Sequence, residues 1–169
     1  YLTLEQTEKI AKKIYAGEYD NDNTMKQVAC YFLIECYSGI RFSDWKSFTI
    51  EKLVHEKNLK VRTQKTGAPI YLPLQTFKRL GAIVDYVAES GIKFTLTEQA
   101  TNRLLKILGK DLKFDIALTT HVGRRTCATL LGEMGYSAYA IGQVLGISEK
   151  TAQVYRHATR QGLENEYRN

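Results

Sequence analysis

Apolar residues recur at helical spacing through most of this chain, but between Phe48 and Leu72 the period drops toward two. That switch restricts the fold more than any other feature, because one element cannot satisfy both periods. Phe48, Ile50 and Leu53, then Leu59, Val61 and Thr63, then Ile70 and Leu72 form three short runs, with Thr66-Gly67 as a turn signal between the second and third. The expectation is a mainly α fold with a small three-stranded antiparallel sheet over 48–72, inserted after the second helix. Thr3 and Gln6 frame a capping box ahead of Ile10 and Ile14, which predicts a helix over 3–16 ended by Gly17. Met25, Val28, Ala29, Phe32, Leu33 and Cys36 predict a second over 23–38, stopped at Ser38-Gly39. Ser43-Asp44-Trp45 reads as a short helical turn. Beyond Pro73 the pattern gives helices at 75–89, 97–109, 119–134, 137–145 and 149–156, and a candidate last one at 158–167. Gly91, Gly109, Gly135 and Gly146 fall at the breaks. A length of 169 residues suits one domain, 1–169.

Charge suggests a partner. The chain carries 24 Lys and Arg against 18 Asp and Glu. Between Lys52 and Arg79, seven basic residues face the single acid Glu56. That stretch is either a solvated strand face or a surface for a polyanion. The three cysteines, Cys30, Cys36 and Cys127, are odd in number and lack C-x-x-C spacing, which fits a reducing cytoplasm. His55, His121 and His157 lie too far apart for metal-ligand spacing, and neither a metal nor a cofactor is expected. No apolar run approaches the roughly 20 residues that cross a bilayer. The start, Tyr1-Leu2-Thr3-Leu4-Glu5, is not a signal peptide and has no initiator Met, so a C-terminal fragment of a longer protein is expected.

Four constellations carry chemistry. His121 and Arg124 stand three apart at the start of a helix that Thr119 or Thr120 can cap, so they share a face where the helix dipole favours an anion. Arg41 follows a helix-ending glycine and has Asp44 three residues on, which makes either a structural ion pair or a preorganised phosphate clamp. Lys65, in Gln64-Lys65-Thr66-Gly67, stands at a hairpin tip and is either solvated or a proton donor in a DNA groove. Tyr155 ends a short helix in a polar context, before Arg156-His157.

In this order, G-I-R-F-S-D at Gly39–Asp44, a hairpin lysine, H-x-x-R at His121–Arg124, a leucine-glycine turn at Leu145-Gly146 and K-T-A-Q-V-Y at Lys150–Tyr155 resemble the tyrosine recombinase (phage integrase) family over essentially the whole chain. The likeness is to the catalytic domain, and more to integrases of mobile elements than to housekeeping resolvases. It implies the DNA breaking-rejoining fold and site-specific DNA recombination or integration through a covalent 3′-phosphotyrosine. Arg41 and Arg124 would hold the phosphate, Tyr155 would attack it, His121 would serve as base and Lys65 as acid. Asp44 would support Arg41, and His157 would stand by. Lys60, Arg62, Lys65 and Arg125 would contact DNA, and further protomers, four in the family's synaptic assembly, would be partners. An N-terminal DNA-binding domain would precede the fragment. The sequence departs from the family where Ile147, not histidine or tryptophan, follows Leu145-Gly146, and where Arg125 stands in place of a frequent histidine. His157, Ser148 and Gln143 are candidate substitutes for the missing donor. The alternatives are a catalytically degenerate DNA-binding module of the same fold, a type IB topoisomerase-like enzyme that relaxes DNA, and a helical interaction domain without catalysis.

Overall fold

The computed structural model of the chain describes residues 1–45, 58–62, 69–73 and 77–157. Its elements run α1 (Leu4–Tyr15), α2 (Asn23–Ser38), α3 (Phe42–Trp45), β1 (Asn58–Arg62), β2 (Pro69–Pro73), α4 (Lys78–Ser90), α5 (Glu98–Asp111), α6 (Thr120–Glu133), α7 (Ala138–Leu145) and α8 (Glu149–His157).

Local chemistry sets most helix ends. Thr3 and Gln6 close a reciprocal capping box on α1. Asp22, Thr97, Thr119 and Ser137 each accept an amide of the first turn they precede. α2 and α7 end on Gly39 and Gly146, both left-handed, with φ of 71° and 67°. Gly39 has a second reason to be glycine, since a Cβ there would collide with the Leu145 side chain.

The expected three-stranded sheet is corrected. Among the described residues the body is helical, and strand pairing is confined to one two-stranded antiparallel ladder, β1 with β2, in which Lys60 pairs with Tyr71 and Arg62 with Pro69. The run proposed as a first strand, 48–53, lies outside the described residues. Its pattern was the weakest of the three, because the step from Ile50 to Leu53 already breaks the two-residue period. The Thr66-Gly67 turn and the candidate helix at 158–167 also lie outside the described residues.

α2 is buried almost all round from Met25 to Ser38. It packs against α1, α4, α5 and α6, and its Phe32, Leu33 and Ile34 anchor the larger core with Ile10, Leu80 and Leu105. A helix apolar on every side has to be central. A smaller core joins α6, α7 and α8 through Cys127, Ala128, Leu131, Ile141, Leu145 and Ala152. Gly132 of α6 lets α8 approach closely, for a Cβ there would stand 3.1 Å from the Tyr155 carbonyl oxygen. Both cores therefore meet along α6, which is the element shared by everything that follows. Among the described residues no helix is long and apolar enough to cross a membrane.

Candidate active site

Where α2 ends and α6 begins, a cleft of about 430 Å³ opens between the two cores. Its lining includes Arg41, His121, Arg124 and Tyr155, four of the five residues expected to act together. They arrive by three routes. Arg41 follows the left-handed turn at Gly39, His121 and Arg124 come from the first two turns of α6, and Tyr155 comes from α8.

Arg124 is the most constrained. Its Nη1 donates to the Gly39 carbonyl at 2.6 Å and its Nη2 to the Leu145 carbonyl at 2.8 Å. The planar guanidinium thus bridges the C-terminal ends of α2 and α7, where unpaired carbonyls carry partial negative charge. Burial, and then the like charge of Arg41, push Arg124 below its ordinary pKa. A guanidinium stays protonated under either pressure.

Arg41 is held more loosely. Its Nη1 lies 4.0 Å from Asp44 Oδ2, an ion pair too long for a hydrogen bond. Asp44 is 0 % exposed, so the pair has one leg inside the protein. Arg41 Nη1 is itself buried and has no hydrogen-bond acceptor among the described residues. A buried, unspent guanidinium donor beside a roomy cleft is a place where an anionic oxygen gains most.

His121 is exposed at the rim. Burial of part of the ring, then the charges of Arg125 and Arg124, hold its pKa below the usual 6.5. The imidazole is therefore mostly neutral at pH 7, the form that accepts a proton. The helix dipole contributes less than the sequence suggests, because two of the first-turn amides are already used by side chains. Thr120 N donates to Asn102 Oδ1 and Val122 N to Thr119 Oγ1.

Tyr155 is half-buried, and its place depends on the close seating of α8 on Gly132. Ile147 also lines the cleft and offers no hydrogen bond. Of its candidate substitutes, Ser148 is already committed, since its Oγ caps Thr151 N at 3.2 Å and bonds the Thr151 hydroxyl at 2.8 Å. Gln143 is exposed and does not line the cleft. His157 ends α8, and its side chain lies outside the described residues. Lys65 lies outside the described residues too. Lys60 and Arg62 stand on β1, and Arg125 is exposed on α6 beside the cleft rather than in its lining.

The cleft also contains residues with no signal in the sequence. Glu35, from the middle of α2, is 1 % exposed and accepts a hydrogen bond from the Tyr31 phenol at 2.8 Å. Glu98 accepts from Thr120 Oγ1 at 3.2 Å. Both sit in ordinary helical contexts, and only the crossing of α2, α5 and α6 brings them to the cleft.

Comparison with known proteins bears on the family and the fold. A family model described as "Phage integrase family" matches residues 1–161. The chain is 30% identical over 134 residues to tyrosine recombinase XerA of Saccharolobus solfataricus, covering 77% of this chain and 45% of that protein. It is 34% identical over 73 residues to tyrosine recombinase XerD of Halalkalibacterium halodurans, covering 43% of this chain and 24% of that protein. The chain thus spans less than half the length of these relatives. Among solved structures it superposes on a XerA recombinase with a TM-score of 0.64 at 23% identity, over 99% of this chain and 64% of that one. It also superposes on the integrase of transposon Tn1549, solved in complex with circular intermediate DNA, with a TM-score of 0.60 at 18% identity, over 99% of this chain and 66% of that one. Matched along nearly its whole length, the chain belongs to the phage integrase family.

Proposed function

We propose that this chain is a recombinase catalytic domain that cuts and rejoins DNA at specific sites, with Tyr155 as nucleophile. The observation that carries the reading is that Arg41, His121, Arg124 and Tyr155 line one cleft although they come from three separate stretches of sequence. The Tyr155 phenol oxygen forms a bond to phosphorus while the bond from phosphorus to the 5′ oxygen breaks. The phenol gives up its proton as its oxygen bonds to phosphorus, so a base must take that proton. His121, held in its neutral form, takes that role. Lys65 supplies the proton to the departing 5′ oxygen. Arg41 and Arg124 offer fixed donors to the phosphoryl oxygens, where negative charge grows in the transition state. Attack by a 5′-hydroxyl of a second duplex reverses each step, and one phosphoester replaces another without net loss of bond energy.

DNA is the partner by the same argument. The fold is shared with an integrase solved on DNA, and the basic positions Lys60, Arg62 and Arg125 would hold the backbone with salt-sensitive affinity. Strand exchange needs further protomers on that DNA. The three cysteines are buried and unpaired, which suits a reducing cytoplasm.

A pool of nicked duplexes of randomised sequence tests the reading, with covalent protein–DNA adducts read on a denaturing gel. Adduct is expected from the wild type and none from Tyr155→Phe. Arg124→Ala should slow adduct formation by about 10²–10³. Adduct that survives Tyr155→Phe, or a wild type that binds the pool and never forms adduct, overturns the proposal.

A further inference from the structure

Glu35 is a carboxyl group in a cleft otherwise suited to an anion. One of its oxygens is bonded by Tyr31, and the other, Oε1, is buried with no hydrogen-bond partner among the described residues. Oε1 presses on α6 at Gly123, where any Cβ would collide with it. Arg124 follows directly on that helix and lines the same cleft. Yet no ion pair joins Glu35 to Arg124. Arg124 gives its donors to two neutral carbonyls instead. An ionised carboxylate beside a guanidinium pairs with it in short, often bidentate bonds, and this arrangement is what a neutral acid leaves behind.

We propose that Glu35 is a positioning residue for Arg124, a neutral acid beneath the cleft that leaves the guanidinium's charge to the bound phosphate. This rests on the reading of the cleft as a phosphate site. Burial pushes the Glu35 carboxyl well above its usual range, while the Tyr31 hydrogen bond and the Arg124 charge act against it and Glu98 adds to it. The groups that face it are Tyr31 and Cys36 from α2, Glu98 from α5, and Arg124 and Cys127 from α6. Arg124 is the cation among them, so an ionised Glu35 would turn to it and compete with the phosphate. Phosphate binding and the Glu35 proton are therefore linked, each favouring the other. The acid is protonated below its folded pKa and ionised above it, so the effect appears as pH rises.

Two measurements test this. In single-turnover cleavage of a nicked duplex selected from the random pool, between about pH 6 and 9, the wild-type rate should fall tenfold or more on the alkaline side. Glu35→Gln, which keeps an acceptor for Tyr31 and cannot ionise, should flatten that limb, and matching limbs in the two proteins overturn the proposal. Carbon-13 spectra of the glutamate carboxyls, with Glu35 assigned by its loss in Glu35→Asp, read the proton directly and need no cleavage. Glu35 should be protonated in the free wild type at pH 7, and saturating inorganic phosphate should raise its titration midpoint. An ionised Glu35 at pH 7, or a midpoint indifferent to phosphate, overturns the proposal even if no adduct forms at any pH. Absence of adduct together with a phosphate-linked Glu35 would instead count against the cleavage reading alone.

Discussion

Gly132→Ala is a one-atom test of how Tyr155 is placed. The added Cβ would lie 3.1 Å from the Tyr155 carbonyl oxygen and 3.3 Å from Arg156 Cα. Both are backbone atoms and cannot swing aside, so α8 has to withdraw by a few tenths of an ångström. Overpacking of this kind costs about 1–3 kcal/mol. Replacing a helical glycine with alanine returns about 1 kcal/mol. Stability should therefore drop by about 2 kcal/mol at most. The rate should suffer more visibly. A misplacement of 1 Å costs about 10²-fold, and scaling its barrier to about 0.3 Å gives a loss of about fourfold. Single-turnover cleavage below the melting temperature measures this. Gly109→Ala is the control, since its Cβ would meet the movable Leu118 side chain at 3.0 Å, far from the cleft, and should lower stability without lowering the rate. If Gly132→Ala cleaves at the wild-type rate, α8 is not what positions the nucleophile. If both variants slow equally, the loss reflects general destabilisation and the reasoning fails.

Other perturbations follow from the same geometry. Gly39→Ala must place alanine at φ 71° and against Leu145. It should lose at least the roughly 1–2 kcal/mol of a left-handed residue in chemical denaturation, and cleavage should fall too because the Gly39 carbonyl holds Arg124. Arg124→Lys keeps the charge but cannot bridge the Gly39 and Leu145 carbonyls, so cleavage should fall about 10²-fold or more while salt-dependent DNA binding changes little. His121 titrates below its usual 6.5. Cleavage should therefore hold at pH 7 and fall only as pH drops through that lowered value, with the acid limb missing in His121→Gln. Thr126→Val removes the acceptor, at 2.9 Å, of the buried Leu2 amide. It should cost about 1–3 kcal/mol and speed hydrogen exchange at Leu2.

Helix ends were legible because caps are local. Thr3 with Gln6, Ser137, Thr119 and the left-handed glycines all act within a few residues of the ends they set. The Arg41 to Asp44 relation was legible for the same reason, as an i, i+3 pair. What resisted reading depends on long-range crossings. Glu35 stands in an apolar helix and looks like an exposed interruption, but α6 crosses at Gly123 and seals it. The partners of Arg124 are carbonyls of Gly39 and Leu145, and backbone acceptors leave no mark on residue type. The run at 48–53, three apolar residues with one misstep, is a weak strand signal and lies outside the described residues.

The leucine-glycine turn before α8 shows where these two kinds of information meet. Its backbone is kept, for Leu145 lends a carbonyl to Arg124 and Gly146 takes the left-handed conformation that ends α7. Its side-chain contribution is not, because Ile147 faces the cleft without a donor and Ser148 is committed to capping Thr151. The turn therefore orients Arg124, while Ile147 and Ser148 offer the cleft no free side-chain donor. If the transition state lacks one donor for this reason, Ile147→His should supply it. One well-placed donor is worth about 10²–10³ in rate, and an unoptimised one should still give about tenfold in single-turnover cleavage near pH 6.5, where part of the imidazole is protonated. The gain should vanish in Ile147→Leu, which changes shape without adding a donor. No gain from histidine would mean that the charge is already fully met, and that isoleucine at this position costs the reaction nothing.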